Sequence, residues 1–187
     1  MNSNPLPQML LVYKVTRDSF RIAERAIQTK DPKAMQRLLQ RTVVENQNIT
    51  DAKSMIQKSI KESDTLFVLN MWATFERFLR DDLQMRGRLL LGNQPPALGH
   101  SIYKHFEKEV EFWKPVEILD FLKDSLFQSQ TALIGQAKQI LAYRDWVAHG
   151  KNPKNPPSTD MKPLAAYNTL NKIVETLLCY PPSSALK

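Results

Sequence analysis

The sequence predicts an all-α protein, an up-and-down helical bundle with additional N-terminal and peripheral helices. Three observations carry this. Only 5 glycines occur in 187 residues. Apolar residues recur three and four apart over long segments instead of alternating, which is the helical period and not the strand period. The breaks between those segments are rich in proline and asparagine. A chain of this length suits one core. Residues 1–187 therefore read as a single helical domain, with 1–62 an N-terminal helical extension packed on or beside a core bundle of 63–180.

Residues 6 to about 29 read as a first helix with Leu10, Leu11, Val15, Ile22, Ala26 and Ile27 on its apolar side. Arg17, Arg21 and Arg25 recur every four residues and form a basic stripe, read as a solvated face with Asp18 and Glu24 as partial counter-charges. "TKDP" interrupts this helix, because Asp31 can cap and Pro32 suits a first helical turn. A second helix is expected from there to about Asn46, and a further one over roughly 51 to 60 after the polar "NQNITD".

The most sustained pattern runs from Ser63 to about Leu91, with Leu66, Leu69, Trp72, Ala73, Phe75, Leu79 and Leu83 at helical spacing and Ser63 or Asp64 as the expected N-cap. "GNQPPALG" ends it through Gly92 and the Pro95-Pro96 pair. "SIYKHFEKEVEFW" reads as an aromatic-rich helix or loop, and "VEILDFLKDSLF" after Lys114-Pro115 as an amphipathic helix. Residues 131 to 149 form the next helix, with Leu133, Ile134, Ala137, Ile140, Leu141 and Ala148 on or near its buried side. "GKNPKNPPSTD" is a loop, a last helix runs from about Asp160 to Leu178, and "YPPSSALK" is a fraying tail.

Composition narrows the class. Lysine and arginine outnumber the acids 26 to 19, a formal charge of +7 that favours a polyanion or an acidic protein as partner. The single cysteine, Cys179, cannot form an internal disulfide and fits a reducing cytoplasm. It falls on the apolar side of the last helix, where small buried cysteines are common. The start "MNSNPLPQML" lacks the basic and apolar segments of an export signal, and no apolar run approaches the roughly 20 residues that span a bilayer. The expectation is a cytoplasmic protein without a membrane partner.

One stretch stands apart: "AYRDWVAHGK", residues 142–151, which crowds an arginine, an acid and a histidine into the end of a helix. Gly150 can take the left-handed conformation that closes a helix, and Pro153 forbids resumption, so His149 falls at the final helical position. Free carbonyls there favour a cationic imidazole. Asp145, one turn earlier on the same face, can support it. Arg144 and His149 lie about 140° apart around an ideal helix and are not intrahelical partners. A two-fold axis between two copies repeats one patch on both sides, and would gather two guanidinia and two imidazoles in one cleft. Such a cleft suits an RNA phosphodiester. Histidine can take the 2′-hydroxyl proton or protonate the leaving 5′-oxygen, while arginine donates to the phosphorane oxygens. No DxD, HExxH or CxxC arrangement offers a metal site, and no cofactor is expected.

"RDWVAH", Arg144 through His149, followed by Gly150, closely resembles the Arg-x4–6-His motif of the HEPN superfamily, the higher eukaryotes and prokaryotes nucleotide-binding domains. The resemblance spans the chain from about residue 63 onward and is sharp at the motif. It implies an up-and-down bundle, a homodimer that joins both motifs, and metal-independent endoribonuclease activity in toxin-antitoxin or phage-defence systems, leaving a 2′,3′-cyclic phosphate. An antitoxin or nucleotidyltransferase is the partner such systems would supply. In that frame His149 is general base or acid, Arg144 binds phosphate, and Asp145 orients the histidine. Glu76 in "WATFER" is similar to the polar residue that many HEPN proteins place on an earlier helix. It either holds Arg144 or pairs locally with Arg80 on a solvated face. Asn70 and Asp64 are weaker candidates for that place, and Lys151 and Lys154 are candidates to grip RNA phosphates. The competing reading is a non-catalytic HEPN-like bundle binding nucleotide, RNA or a partner protein, and a third is a purely structural interaction protein. Trp146, His100 and His105 read as packing or surface residues, and Phe106, Phe112 and Trp113 as an aromatic cluster that is core by default, with an interface or a base-stacking surface as the alternatives.

Overall fold

The computed structural model of the protein describes residues 3–154, 156–157 and 161–180. Among these it contains seven α-helices and no strand: α1 Leu6–Ile27, α2 Pro32–Leu39, α3 Ile49–Gly87, α4 Pro96–Phe112, α5 Pro115–Asp124, α6 Thr131–Ala148 and α7 Pro163–Cys179, with 3-10 turns at Arg88–Gly92 and Gln128–Gln130. The protein is an all-α bundle. The expected start of the last helix at Asp160, part of the loop before it and the tail from 181 onward fall outside the described residues.

Contacts divide the chain into two compact units, Gln8–Phe67 and the remainder. In the first, Asp31 caps α2 by accepting from the Lys33 N–H at 2.9 Å, with Pro32 opening the helix. The helix is shorter than expected. It stops at Leu39, where Gln40 turns extended and Arg41 takes a φ of +64°, a reversal held by the Arg41 N–H donating to Glu45 Oε2 at 2.8 Å. Ala26, Ile27, Leu39, Ala52 and Ile56 form the core of this unit, with Phe20, Ala23, Met35, Val44 and Ile60 packed against it. The α1 reading is corrected here, since Leu11, Val15 and Ile22 are exposed. Ala26 and Ile27 do face inward as expected, and Tyr13, Phe20 and Ala23 join them where Leu11, Val15 and Ile22 were expected.

No helix begins at Ser63. One helix runs from Ile49 to Gly87, capped by Asn48, whose side chain accepts from the Asp51 N–H at 2.8 Å while its amide donates to the Asp51 carboxylate at 2.7 Å. The polar "KESDT" contains neither glycine nor proline and continues the helix. Asp64 serves a tertiary role there, accepting from Tyr13 Oη at 2.7 Å and from Arg17 at 3.4 Å, while Tyr13 stacks on Phe67 at 4.2 Å.

The second unit draws its core from α3 (Val68, Met71, Trp72, Phe75, Phe78, Leu79, Leu83), α5, α6 (Ile134, Ala137, Ile140, Leu141) and α7 (Leu170, Ile173, Val174, Leu177). Successive helices pack as neighbours, α5 on α6 and α6 on α7. Lys138 of α6 pairs with Asp120 of α5, and Thr169 of α7 donates to Gln136 of α6 at 3.2 Å. Prolines 96, 115 and 163 each occupy a first-turn position. Pro96 therefore opens a helix where the sequence suggests only a break. Gly99 lies inside that helix, and a Cβ there would come within about 3.0 Å of the Leu90 carbonyl and 2.9 Å of those of Leu91 and Asn93. Leu66, Ala73 and Ala148 are exposed, contrary to their expected inward facing, and so is Cys179, which follows Leu177 by two positions and leaves the buried side. Phe106 and Trp113 meet edge to face at 6.1 Å, but Phe112 is 72% exposed and is no part of that cluster.

Candidate functional site

Helix α6 ends as its sequence dictates. The Gly150 N–H donates to the Val147 carbonyl at 3.0 Å and the Lys151 N–H to the Trp146 carbonyl at 2.9 Å, with Gly150 at φ +83°. These are the two bonds of a Schellman termination. His149 is the C-cap residue, its backbone N–H donating to the Asp145 carbonyl at 3.0 Å. Its imidazole is exposed, and among the described residues no side chain hydrogen-bonds it. Lys151 also has a positive φ, +55°, and the Trp146 indole donates to the Asn152 carbonyl at 2.8 Å, which pins the outgoing chain against the helix.

Arg144, five residues earlier, is held on two sides. Its Nη1 donates to Asp145 Oδ1 at 2.7 Å and its Nη2 to Glu76 Oε2 at 3.3 Å. Asp145 was expected to orient His149; within this chain its carboxylate faces the arginine, which reaches it from the adjacent position once Glu76 has fixed the guanidinium.

Glu76 is a three-way acceptor. Its Oε2 takes the Trp72 indole N–H at 3.1 Å as well as Arg144, and its Oε1 takes Arg80 Nη2 at 2.8 Å. The two sequence readings of Glu76 are thus both realised geometrically, but the face is not solvated: Arg80 is 8% exposed. Its guanidinium spends its other donors on main-chain carbonyls at the end of α4, Nη1 on Val110 and on Glu111 at 3.1 Å, Nη2 on Trp113 at 2.9 Å. A cation suits the carbonyl-rich end of a helix. Beside it Arg77 grips the Glu111 carboxylate with two bonds of 3.0 and 2.8 Å, and that hydrogen bonding holds the carboxyl below its ordinary range against the opposing effect of burial. Sequence reasoning missed Arg80 as a member of this cluster; the i, i+4 spacing from Glu76 signals the bond but not the burial.

The structure thus brings Trp72, Glu76, Arg80, Arg144 and Asp145 into one connected network at the α3–α6 contact. His149 stands outside that network, on solvent. Lys154 is exposed, with its N–H on the Asn152 side-chain oxygen at 3.0 Å, and Lys151 is half-buried. Asn70 is exposed, and Asp64 belongs to the Tyr13 pairing. His100 and His105 are exposed on α4. Among the described residues no group of three or more histidine, cysteine or acidic side chains has the geometry to hold a metal ion, and no helix is long and apolar enough to cross a membrane. Compared with models of known protein families, with curated proteins and with solved structures, the chain matches none of them.

Proposed function

We propose that this protein is a metal-independent endoribonuclease of HEPN type, a cytoplasmic toxin or phage-defence effector whose site is completed by a second copy of the chain. The observation that carries the reading is the pairing of a fixed cation with an exposed imidazole that no side chain among the described residues engages: Arg144 braced by Glu76 and Asp145, five residues before His149 at the helix end. A braced guanidinium meets a phosphate in a set orientation. An exposed imidazole can carry a proton.

In the reaction so proposed, one His149 accepts the proton of the ribose 2′-hydroxyl as that oxygen attacks the adjacent phosphorus. The bond from phosphorus to the 5′-oxygen breaks, and the same residue of the second copy, protonated, gives its proton to that oxygen. The products are a 2′,3′-cyclic phosphate and a 5′-hydroxyl. Arg144 donates to the non-bridging oxygens as their charge grows. Lys151 and Lys154 take flanking phosphates. An antitoxin or nucleotidyltransferase would restrain such an activity.

The decisive experiment is incubation of the protein with RNA in EDTA, with end-group analysis, for the wild type, Arg144→Ala and His149→Ala, alongside sedimentation to count chains. Cleavage by a dimer that both substitutions abolish supports the reading. One observation favours a second reading: in the single chain Arg144 already faces two carboxylates, which oppose an incoming phosphate. On that reading the protein is a silent bundle that binds nucleotide, RNA or a protein, and RNA would be retained without being cut.

A further inference from the structure

We infer that Arg80 is a positioning residue for Arg144, setting through Glu76 where the motif arginine can present its donors, and so tying the cleavage site to the end of α4. The inference rests on the ribonuclease reading for its consequence in catalysis. Its structural part stands separately.

A glutamate and arginine one turn apart on an open helix face form a weak, mobile pair, because both side chains reorient freely and water screens the charges. Here the pair is anchored. Arg80 is 8% exposed, and its guanidinium bonds the carbonyls of Val110, Glu111 and Trp113 in addition to Glu76. Those carbonyls end α4 and lead into α5, so they move only with the backbone. A planar fork whose other prongs are fixed to main chain cannot swing, and the prong that donates to Glu76 Oε1 at 2.8 Å holds the carboxylate in one rotamer. The opposite oxygen, Oε2, then points where Trp72 and Arg144 both donate to it. The chain of contact is continuous: α4 carbonyls, Arg80, Glu76, Arg144. Lysine has no planar fork and cannot reproduce it.

The experiment uses the full chain labelled with 15N-arginine, comparing the wild type with Arg80→Lys and Glu76→Gln. Two readouts are taken: the Arg144 side-chain Nε–H resonance, assigned by its loss in Arg144→Lys, and kcat and KM for RNA cleavage. We expect Arg80→Lys to melt cooperatively, to broaden or shift the Arg144 resonance, and to lower kcat about ten- to hundredfold with KM changed less than about threefold. Combined with Arg144→Ala it should add no further loss, because positioning is void once the positioned group is gone. An unmoved Arg144 resonance, or losses that multiply in the double variant, would leave Arg80 a helix-end cap only and overturn the inference. If Arg80→Lys does not fold, Glu76→Gln decides by the same readouts, since it alters the link and leaves the α4 carbonyls capped. If the wild type cuts no RNA, the ribonuclease reading fails, and the Arg144 resonance alone still confirms or refutes the positioning.

Discussion

Arg144 Nη2 lies 3.3 Å from Glu76 Oε2, across 68 positions of sequence, and the other oxygen of that carboxylate is bound by a second, buried guanidinium. Removing Glu76 therefore takes away the carboxylate that Arg80 bonds, where water can scarcely reach, and leaves it main-chain carbonyls and the unbonded charge of Glu111. Breaking a buried pair from one side costs about 3 kcal/mol or more, far above the value of a surface pair. Glu76→Ala should lower the unfolding free energy in urea by about that amount, and Glu76→Gln, which keeps an acceptor, by roughly half. A loss below about 0.5 kcal/mol for the alanine variant would mean that water already compensates Arg80.

His149 behaves oppositely. Its imidazole is exposed and engages no side chain among the described residues, so His149→Ala should change stability by no more than about 0.5 kcal/mol. Cleavage should fall by at least about a hundredfold, the usual contribution of a general acid or base. Urea denaturation and a cleavage assay on the same preparation test this together. A large stability loss would reveal a structural role for the ring instead.

The uneven legibility of this fold has physical causes. Helix α6 was readable almost to its ends, because its stop depends on Gly150 and Pro153 and its inward positions Ile134, Ala137 and Ile140 follow the helical period. Likewise Pro32 and Asp31 announced the start of α2. The continuity of α3 through Ser63 was not readable, since Asp64 resembles a cap locally and its partner Tyr13 is 51 positions away. The inward face of α1 went astray for a related reason: periodicity finds an apolar face but not which of two neighbouring faces meets a core. At the site, Glu76, Arg144 and His149 could be named from spacing and chemistry. Arg80 could be named only as a partner of Glu76 on a solvated face; its burial against the α4 carbonyls could not be read, because main-chain acceptors leave no trace in composition.

Two glycines, one inside α6 and one just past its end, separate conformation from packing. A Cβ would touch nothing within 4 Å at either Gly135 or Gly150, but only Gly150 has a positive φ, +83°. Gly135→Ala should therefore stabilise by about 0.5–1 kcal/mol, because it reduces the freedom of the unfolded chain and raises helix propensity. Gly150→Ala should destabilise by about 1 kcal/mol, since the left-handed conformation crowds an L side chain. Thermal melts of the two variants should move in opposite directions. Equal shifts would deny that the left-handed stop is formed in solution.

Tyr13 supplies a prediction in pH. Burial pushes its phenol from 10.0 up to about 12, reinforced by the hydrogen bond it gives Asp64 and by that carboxylate's charge, with Arg17 opposing. The folded state thus keeps the proton over a range in which the unfolded chain has released it. Since the folded pKa exceeds the unfolded one, stability from this group is intact below pH 10 and declines as pH rises through about 12. The expected decline is roughly 2–3 kcal/mol across that window. Tyr13→Phe cannot titrate, so it should be the less stable protein near neutrality, having lost the bond to Asp64, yet its stability should fall less steeply above pH 10. Taking the difference between wild type and variant at each pH cancels the other alkaline titrations. A difference that stays constant from pH 8 to 12 would show that the phenol ionises as easily in the folded protein as in water, and that the Tyr13–Asp64 bond is open to solvent.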